Sequence, residues 1–283
     1  MSEELELHDP ELYRYDRVAE ALDGLGSIGE AECGLFRKQG YLAVQNAFSS
    51  DEIAGATDAL NHLALGENPD YSGFDIEPRA RDGFEELSGD ERLDSLRKLM
   101  FFVNFEPRLK ALSDHPALLD VLRRVIGSDE LEMFQDMALM KPPRIGREKP
   151  WHQDGAYFTV PPKTPVVGVW IALDPVHLEN GCMHVLHGGH HEGPQVHFHR
   201  RDWQICDTDI EHLHTDKHPV VAVPLSPGGC LFFAGLLPHG TPHNFSGSRR
   251  RALQYHYRPL DTPSIPQEDM TAIYGSDGKD VEC

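Results

Sequence analysis

The sequence predicts a mainly β fold with flanking helices, of the β-sandwich or jelly-roll kind. Helical patterns dominate the first half, whereas short apolar or alternating runs appear from about residue 131 onward. Turn signals such as Pro142-Pro143 separate these runs, and that spacing is typical of antiparallel sheets. The predicted strands are 131–140, 166–173, 182–186, 220–225, 230–233 and 250–257.

Two helices in the first half are marked by their ends. Ser49 followed by Glu52 is a capping-box pattern, and apolar residues then recur at helical spacing. The second helix follows Asp114, carries Pro116 in its first turn, and is predicted to end at Gly127.

The segment between these helices is predicted in two parts. Residues 68–90 are polar and turn-rich, which indicates a surface loop near the sheet. Residues 91–105 are interpreted as a helix, or a helix leading into a loop, that holds Lys98. The chain is thus predicted to be a single domain, with an N-terminal helical part at about 11–127 and a jelly-roll core at about 130–258.

Composition narrows the function classes. Lys and Arg total 26 against 46 acidic residues, a formal net charge of −20, which disfavours nucleic acid as a partner. No apolar stretch approaches the ~20 residues needed to cross a bilayer, and the start lacks the pattern of a secretory signal, so we expect a cytoplasmic protein without membrane partners. The five cysteines are odd in number and form no CxxC pair, which favours ordinary thiols.

The 17 histidines make metal chemistry the first hypothesis to test. His152 and Asp154 lie two residues apart, so on a strand both side chains face the same way and can share one ion. They would be two ligands of a two-His, one-carboxylate triad, although His-x-Asp also occurs by chance. The best third ligand is His239, which follows an apolar run, and His243 is its rival.

The stretch 249–257 alternates between two faces. One face carries Arg251 with Leu253, Tyr255 and Tyr257, and the other could line a polar cavity. Arg250 on the second face suits a carboxylate because its planar fork donates two parallel hydrogen bonds. The alternative is a solvated basic run at the start of a strand. The full second face consists of Arg250, Ala252, Gln254 and His256.

Ten of the histidines lie between His177 and His218. We interpret 187–218 as an insertion between strands that forms a lid over the cavity, and a second metal site as the lesser alternative. Side chains on the same segment could recognise a polar or anionic substrate group or belong to the surface. These side chains are Arg200, Arg201, Trp203 and Gln204.

From about Lys98 to Tyr257 the chain resembles the phytanoyl-CoA dioxygenase family of iron(II)- and 2-oxoglutarate-dependent oxygenases. The resemblance depends on the joint occurrence of several stretches in the right order. His187 stands where proline is common in the family, and Thr241 where serine is frequent. The stretches are Met137 to Pro143, His152-Gln153-Asp154, Gly168 to Leu173, Leu178 to Cys182, Leu186 to His190, and His239 through Asn244 to Arg250.

The resemblance implies a double-stranded β-helix of the jelly-roll, cupin-like type, with helices outside its larger sheet. It implies iron ligation by His152, Asp154 and His239. Arg250 would hold the distal carboxylate of 2-oxoglutarate, and Thr241 would donate a hydrogen bond to it. Three further residues match positions that contact the cosubstrate in family members: Trp170, Lys98 and Met137. For Trp170 and Met137, packing in the core is the alternative.

The implied activity is hydroxylation of a small organic substrate with release of succinate and CO2, using Fe(II), 2-oxoglutarate and dioxygen, with ascorbate as a possible reductant. The alternatives are a cupin-like zinc hydrolase or isomerase, which would use the triad to activate water, and a non-catalytic metal-binding protein. Acyl-CoA thioesters, amino-acid-derived solutes, phosphonates and natural products all remain candidate substrates, and the oligomeric state is left open.

Overall fold

Two β-sheets form the framework of residues 7–198 and 210–275, the part of the chain that the computed structural model describes. The smaller sheet has the strand order β1-β10-β9-β12-β7, and the larger has the order β2-β3-β11-β8-β13-β6-β5-β4. The strands are β1 (Arg17–Val18), β2 (Ala21–Asp23), β3 (Tyr41–Gln45), β4 (Phe74–Ile76), β5 (Leu96–Met100), β6 (Leu131–Lys141), β7 (Lys149–His152), β8 (Val167–Ala172), β9 (Met183–Leu186), β10 (Val220–Val223), β11 (Cys230–Ala234), β12 (His239–Thr241) and β13 (Arg250–Pro259).

The predicted jelly roll is confirmed. All six predicted apolar runs form strands, and neighbouring strands pair antiparallel except where β1 joins β10 and β2 joins β3. Strand β13 is central, because it pairs with β6 on one side and with β8 on the other. The inner faces of the two sheets therefore enclose the space in which its inward side chains lie.

The helices include both that the sequence predicted. At the start of α2 the Ser49 hydroxyl accepts from the Glu52 N–H at 3.3 Å, and the Glu52 carboxylate accepts from the Ser49 N–H at 2.8 Å. Helix α5 begins at Pro116 and is capped by Gly127 in the left-handed region, with φ 77°. The helices are α1 (Glu30–Gln39), α2 (Ser50–Ala64), α3 (Gly89–Leu93), α4 (Pro107–Ser113), α5 (Pro116–Ile126), α6 (Ile210–Leu213) and α7 (Gln267–Tyr274).

The helical interpretation of 91–105 is wrong beyond the short α3. Lys98 lies on strand β5, where it pairs with Leu139 of β6. Leu93, Leu96 and Leu99 have a spacing that also suits a helix, but pairing with β6 satisfies the backbone and buries both strand leucines in the sheet. The preceding segment 68–90 is also more than a surface loop, since it contributes β4 to the sheet edge.

Helices α1 to α5 cover the outer face of the larger sheet. The inner face packs against the smaller sheet through residues such as Trp170, Ala252 and Val185. The alternation predicted for 249–257 is present, because Leu253, Tyr255 and Tyr257 all belong to the helix-facing core. Other members of that core come from the helices, and they include Ala56, Leu60, Leu63, Leu109, Leu118 and Leu122.

The described parts of the proposed lid are 187–198 and 210–218. They contain a short 3-10 helix at Gly189–Glu192 and helix α6. The predicted recognition residues Arg200, Arg201, Trp203 and Gln204 lie outside the described residues. Within the described ranges, no helix has the length and apolar character that a membrane span requires.

Candidate metal centre and cosubstrate pocket

Three side chains, from strands β7 and β12 and from the turn that follows β7, converge inside the barrel. His152 ends β7, Asp154 follows it in a 3-10 turn, and His239 begins β12 directly opposite His152. Oδ1 of Asp154 lies 3.3 Å from Nε2 of His152 and 3.6 Å from Nε2 of His239. All three side chains are buried, and their potential ligand atoms lie within 4.8 Å of one another, so this group could hold a metal ion.

Backbone carbonyls orient both imidazoles. Nδ1 of His152 lies 2.7 Å from the carbonyl of Pro150, and Nδ1 of His239 lies 2.9 Å from that of Leu237. A carbonyl only accepts, so each Nδ1 carries the proton and each Nε2 presents its lone pair to the centre. Burial, followed by the proximity of His152, lowers the pKa of His239 to about 4, so its imidazole is neutral and can act as a ligand near neutral pH.

The second oxygen of Asp154 is held from strand β13. Oδ2 lies 2.7 Å from Nε2 of His256 and 3.3 Å from Nε2 of Gln254, while Oδ1 faces the two imidazoles. Burial by itself raises the pKa of Asp154, but the neighbouring imidazoles of His239, His256 and His152 outweigh it and hold the pKa well below its usual value. The carboxylate is therefore ionised and presents one oxygen to an ion.

Next to the triad lies a buried cluster of donors that suits a carboxylate. Arg250 is 2% exposed, and its Nε and Nη1, like the hydroxyl of Thr241, have no hydrogen-bond partner among the described residues. Burial lowers the pKa of Arg250 to about 10, so it remains cationic. A buried guanidinium without an anionic partner is costly, and a bound dicarboxylate would supply that partner.

Of the three residues predicted to contact the cosubstrate, two line the cavity and one lies behind its wall. Lys98 and Met137 line the same cavity as Arg250, the triad and Thr241, a space of about 740 Å³ that includes its open mouth. Trp170 lies behind this lining, where its ring packs 5.3 Å from the Arg250 guanidinium. Trp170 therefore supports the arginine from below, in agreement with the packing alternative for this residue.

His243, the rival ligand, lies apart from the triad. Its Nε2 is 2.9 Å from the carbonyl of Arg144, and its ring packs against Phe245. It lines a neighbouring cavity with His8 and His184. The register of β12 against β7 turns His239 toward the metal-binding group.

Sequence reasoning missed the role of Gln153, which lies between two members of the triad. Its amide nitrogen donates to the carbonyls of Gly193 and Leu236 at 2.9 and 2.7 Å, and its oxygen accepts from the Gln195 N–H at 2.8 Å. The backbone N–H of Gln153 donates to Nε2 of His197 at 3.0 Å. Gln153 thus joins the end of strand β7 to the described start of the proposed lid, and its place inside the His-x-Asp motif was the available signal.

The histidine-rich stretch uses several of its rings for packing and hydrogen bonding. Where the chain is described, the only His, Cys or acidic group of three or more with a geometry suited to a metal is His152, Asp154 and His239. Four of the other rings contact backbone or single carboxylates: His190 the carbonyl of Arg37, His191 the carbonyl of Lys38, His214 the carboxylate of Asp16, and His218 the carboxylate of Glu192.

Solved structures with this fold bind the same cosubstrate. EctD from S. alaskensis, solved with 2-oxoglutarate and 5-hydroxyectoine, has a TM-score of 0.68 at 23% identity over 91% of this chain and 83% of that one. EvdO2 from Micromonospora carbonacea var. aurantiaca, complexed with 2-oxoglutarate, has a TM-score of 0.65 at 26% identity over 85% and 94%. The fold, the triad and these likenesses define the class: an iron- and 2-oxoglutarate-dependent oxygenase.

The family follows from the sequence match. The family model described as phytanoyl-CoA dioxygenase (PhyH) matches residues 36–252. A Caenorhabditis elegans protein named phytanoyl-CoA dioxygenase domain-containing protein 1 homolog is 26% identical over 78% of this chain and 88% of its own. Phytanoyl-CoA dioxygenase of Arabidopsis thaliana is 25% identical over 82% and 89%. The chain belongs to the phytanoyl-CoA dioxygenase family, and the predicted resemblance is confirmed.

Proposed function

We propose that this protein hydroxylates a small organic substrate, with iron bound by His152, Asp154 and His239. Arg250 and Thr241 hold the distal carboxylate of 2-oxoglutarate in the same cavity. The observation that carries the proposal is this juxtaposition: a two-His, one-carboxylate group that could hold an ion lies beside buried carboxylate donors that have no partner among the described residues.

When bound, iron(II), 2-oxoglutarate and dioxygen supply the oxidation, in which the cosubstrate becomes succinate and CO2 and one oxygen atom enters a C–H bond. The chain itself orients the groups that hold the ion and excludes water from the site. His256 and Gln254 keep one oxygen of Asp154 directed at the ion, since they bind the other. Phe158 and Met137 form apolar parts of the wall, which shields the reacting centre from water.

The two alternative functions account for less of the site. A zinc hydrolase or isomerase would use the triad with an activated water, but it requires no buried arginine and hydroxyl awaiting a carboxylate. A metal-buffering protein would use additional histidine clusters, whereas four described rings of the histidine-rich stretch engage backbone carbonyls or single carboxylates.

Cosubstrate turnover tests the proposal directly. The purified protein with Fe(II), ascorbate and 2-oxoglutarate should consume oxygen and release succinate, slowly in the absence of the prime substrate. Mass spectrometry of a converted substrate should show the gain of one oxygen atom. Failure to bind 2-oxoglutarate would reject the oxygenase function, whereas conversion without oxygen gain would reject hydroxylation alone.

A pair of histidine variants tests the ligand assignment. His239→Ala should abolish Fe(II)-dependent succinate release and weaken Fe(II) binding, because one of three ligands is lost. His243→Ala is the matched control, since the same side chain is removed four residues away, outside the triad. Retained activity in His239→Ala together with loss in His243→Ala would reverse the assignment.

We also propose that 187–218 acts as a lid, on the support of the hydrogen bonds that tie its first residues to Gln153. The single-domain organisation, the cytoplasmic location, and the absence of nucleic-acid and membrane partners stay predictions.

A further inference from the structure

Asp154 is the member of the triad whose backbone lies outside a strand. His152 and His239 face each other across the paired strands β7 and β12, so the sheet fixes the backbone of both. Asp154 instead begins a 3-10 turn, Asp154–Tyr157, which we call the Asp154 turn. The N–H of Gly155 ties this turn to the segment between β11 and β12 through a hydrogen bond of 2.8 Å. The direction of the Asp154 carboxylate therefore depends on what packs against the turn.

Helix α7 packs against the Asp154 turn. Ala156 of the turn belongs to one buried apolar cluster with Met270 and Tyr274 of the helix, and each of the three is at most 2% exposed. The approach is close at Gly155, because a Cβ atom there would lie 3.2 Å from Oη of Tyr274. The absence of a side chain at this position lets the helix lie directly on the turn.

The end of the same helix holds the described start of the proposed lid. The carbonyl of Tyr274 accepts from the N–H of His197 at 2.8 Å, and the two rings lie edge to face with centroids 5.9 Å apart. Nε2 of His197 accepts from the N–H of Gln153 at 3.0 Å. Nδ1 of His197 lies 2.9 Å from the carbonyl of Gln195, so Nδ1 carries the proton and Nε2 is the acceptor. Both chain neighbours of Asp154 are therefore connected to Tyr274.

The turn carries the packing of the helix to the cavity wall. Tyr157, the last residue of the turn, lines the cavity, and its ring lies 6.0 Å from the ring of His152 and 6.0 Å from that of His197. Met270 and Tyr274 are not among the described residues that line the cavity. Any effect that they have on the metal centre must therefore pass through the Asp154 turn.

We propose that Met270 and Tyr274 are positioning residues of the metal centre, which hold the Asp154 turn so that one carboxylate oxygen stays directed at the ion. The inference rests on the proposed function, because it takes Asp154 to be an iron ligand. A ligand that is already in place loses less conformational freedom when the ion binds, so this support raises metal affinity. It comes from outside the region that the family model matches, which ends at residue 252.

Truncation of Met270 tests the support. Met270→Ala should weaken the binding of Mn(II), a redox-inert substitute for Fe(II), by about tenfold, because the turn loses its packing partner. Met270→Leu keeps the side-chain volume and should retain the affinity. Leu118→Ala is the matched control, since Leu118 is also buried on a helix but packs in the core outside the larger sheet. Calorimetry measures Mn(II) affinity, and urea unfolding measures the stability of the metal-free protein.

The control separates positioning from stability. Leu118→Ala should lower the free energy of unfolding, as Met270→Ala does, and leave Mn(II) affinity unchanged. Met270→Val replaces Met270→Ala if that protein fails to fold, and it should weaken Mn(II) binding in the same direction.

A double-mutant cycle tests the contact between the turn and the helix. Gly155→Ala should weaken Mn(II) binding by about tenfold, because its Cβ would meet Oη of Tyr274 and displace the turn. Tyr274→Phe removes that oxygen, so the double variant should recover at least about threefold of the lost affinity. The recovery is partial, since the Cβ would also meet Cδ2 of Leu236 and the carbonyl of Gly235.

The outcomes separate the two proposals. A wild-type protein that binds neither Mn(II) nor 2-oxoglutarate rejects the proposed function, and this inference with it. Normal wild-type binding together with an unchanged Mn(II) affinity in Met270→Ala overturns only the positioning role. An equal loss of affinity in Met270→Ala and Leu118→Ala also overturns it, because the loss would then follow from general destabilisation. Absence of any recovery in the double variant overturns it as well.

Discussion

The two faces of strand β13 satisfy their polar groups in different ways. On the outer face, the hydroxyls of Tyr255 and Tyr257 donate to the carbonyls of Leu109 and Ser113 on α4 at 2.8 and 2.7 Å. On the inner face, Nε and Nη1 of Arg250 have no hydrogen-bond partner among the described residues. The outer polar groups complete the packing of a helix, whereas the inner arginine has the donors that our proposal assigns to 2-oxoglutarate.

This difference shows that one face of a strand can contribute to stability while the other contributes to ligand binding. Successive side chains point to opposite faces, so neighbouring residues meet different surroundings. Arg251, next to Arg250, forms an ion pair with Asp174 at 2.7 Å instead of entering the cavity. Substitutions on the inner face should therefore change ligand affinity, and those on the outer face should change the free energy of unfolding.

The largest expected effect separates two neighbouring arginines. Arg250→Ala should weaken 2-oxoglutarate binding by about 100-fold or more, because two charged hydrogen bonds are lost. Arg251→Ala should lower the free energy of unfolding and leave 2-oxoglutarate affinity unchanged. Calorimetry with Mn(II) and thermal unfolding measure the two quantities. Equal loss of cosubstrate affinity in both variants would contradict the separation of the faces.

A smaller effect is expected at His256, whose Nε2 forms a hydrogen bond with Oδ2 of Asp154. His256→Phe should weaken Fe(II) binding by roughly 10- to 100-fold, as is usual when a hydrogen-bond partner of a ligand is removed. A competition assay with a colorimetric chelator measures this affinity. An unchanged Fe(II) affinity would mean that Gln254 alone holds the carboxylate in place.

The smaller sheet also has two faces that differ. On β9, Met183 and Val185 face inward, and His184 lies between them in sequence. Burial lowers the pKa of His184 to about 4 from the ordinary value near 6.5. Below the ordinary value the unfolded chain takes up the proton first, so stability falls as the pH drops from about 6.5 toward 4.

His184→Gln should accordingly reduce the acid sensitivity of the metal-free protein. The loss of unfolding free energy between about pH 8 and about pH 5 should shrink by about 2 kcal/mol. Urea unfolding at both pH values measures it.

The smallest effect is expected for Tyr255→Phe on the outer face. Loss of its hydroxyl should cost about 1 kcal/mol of unfolding free energy, because the carbonyl of Leu109 loses a buried donor. Neither Fe(II) nor 2-oxoglutarate affinity should change. A shift in either affinity, measured beside the unfolding midpoint, would show that the outer face also positions the site.

Much of this arrangement was predictable because it is local. The capping box at Ser49, the glycine stop at Gly127 and the two faces of β13 each follow from a few neighbouring residues, and each is present in the structure. The pairing of His152 with Asp154 was also predicted from their spacing, although Asp154 lies in the 3-10 turn after β7 and not on the strand that this spacing assumed.

Other features were unpredictable because they depend on distant pairing. Leucine spacing in 91–105 fits a helix, and only the partner strand β6 made residues 96–100 a strand. The bond from His256 to Asp154 joins residues 102 positions apart, and the bonds of Gln153 reach segments 40 and 83 positions away. No local pattern encodes which strands will be neighbours.

By itself, the amino-acid sequence determined the jelly-roll class, the His-x-Asp pair and the inward face that carries Arg250, since strand alternation and turn chemistry act over a few residues. The tertiary structure decided that His239, and not His243, meets that pair, because the pairing of β12 with β7 sets His239 opposite His152. It also gathered six dispersed cations around one cavity. Register and sheet closure are cooperative properties of the whole chain, so they become visible only in three dimensions.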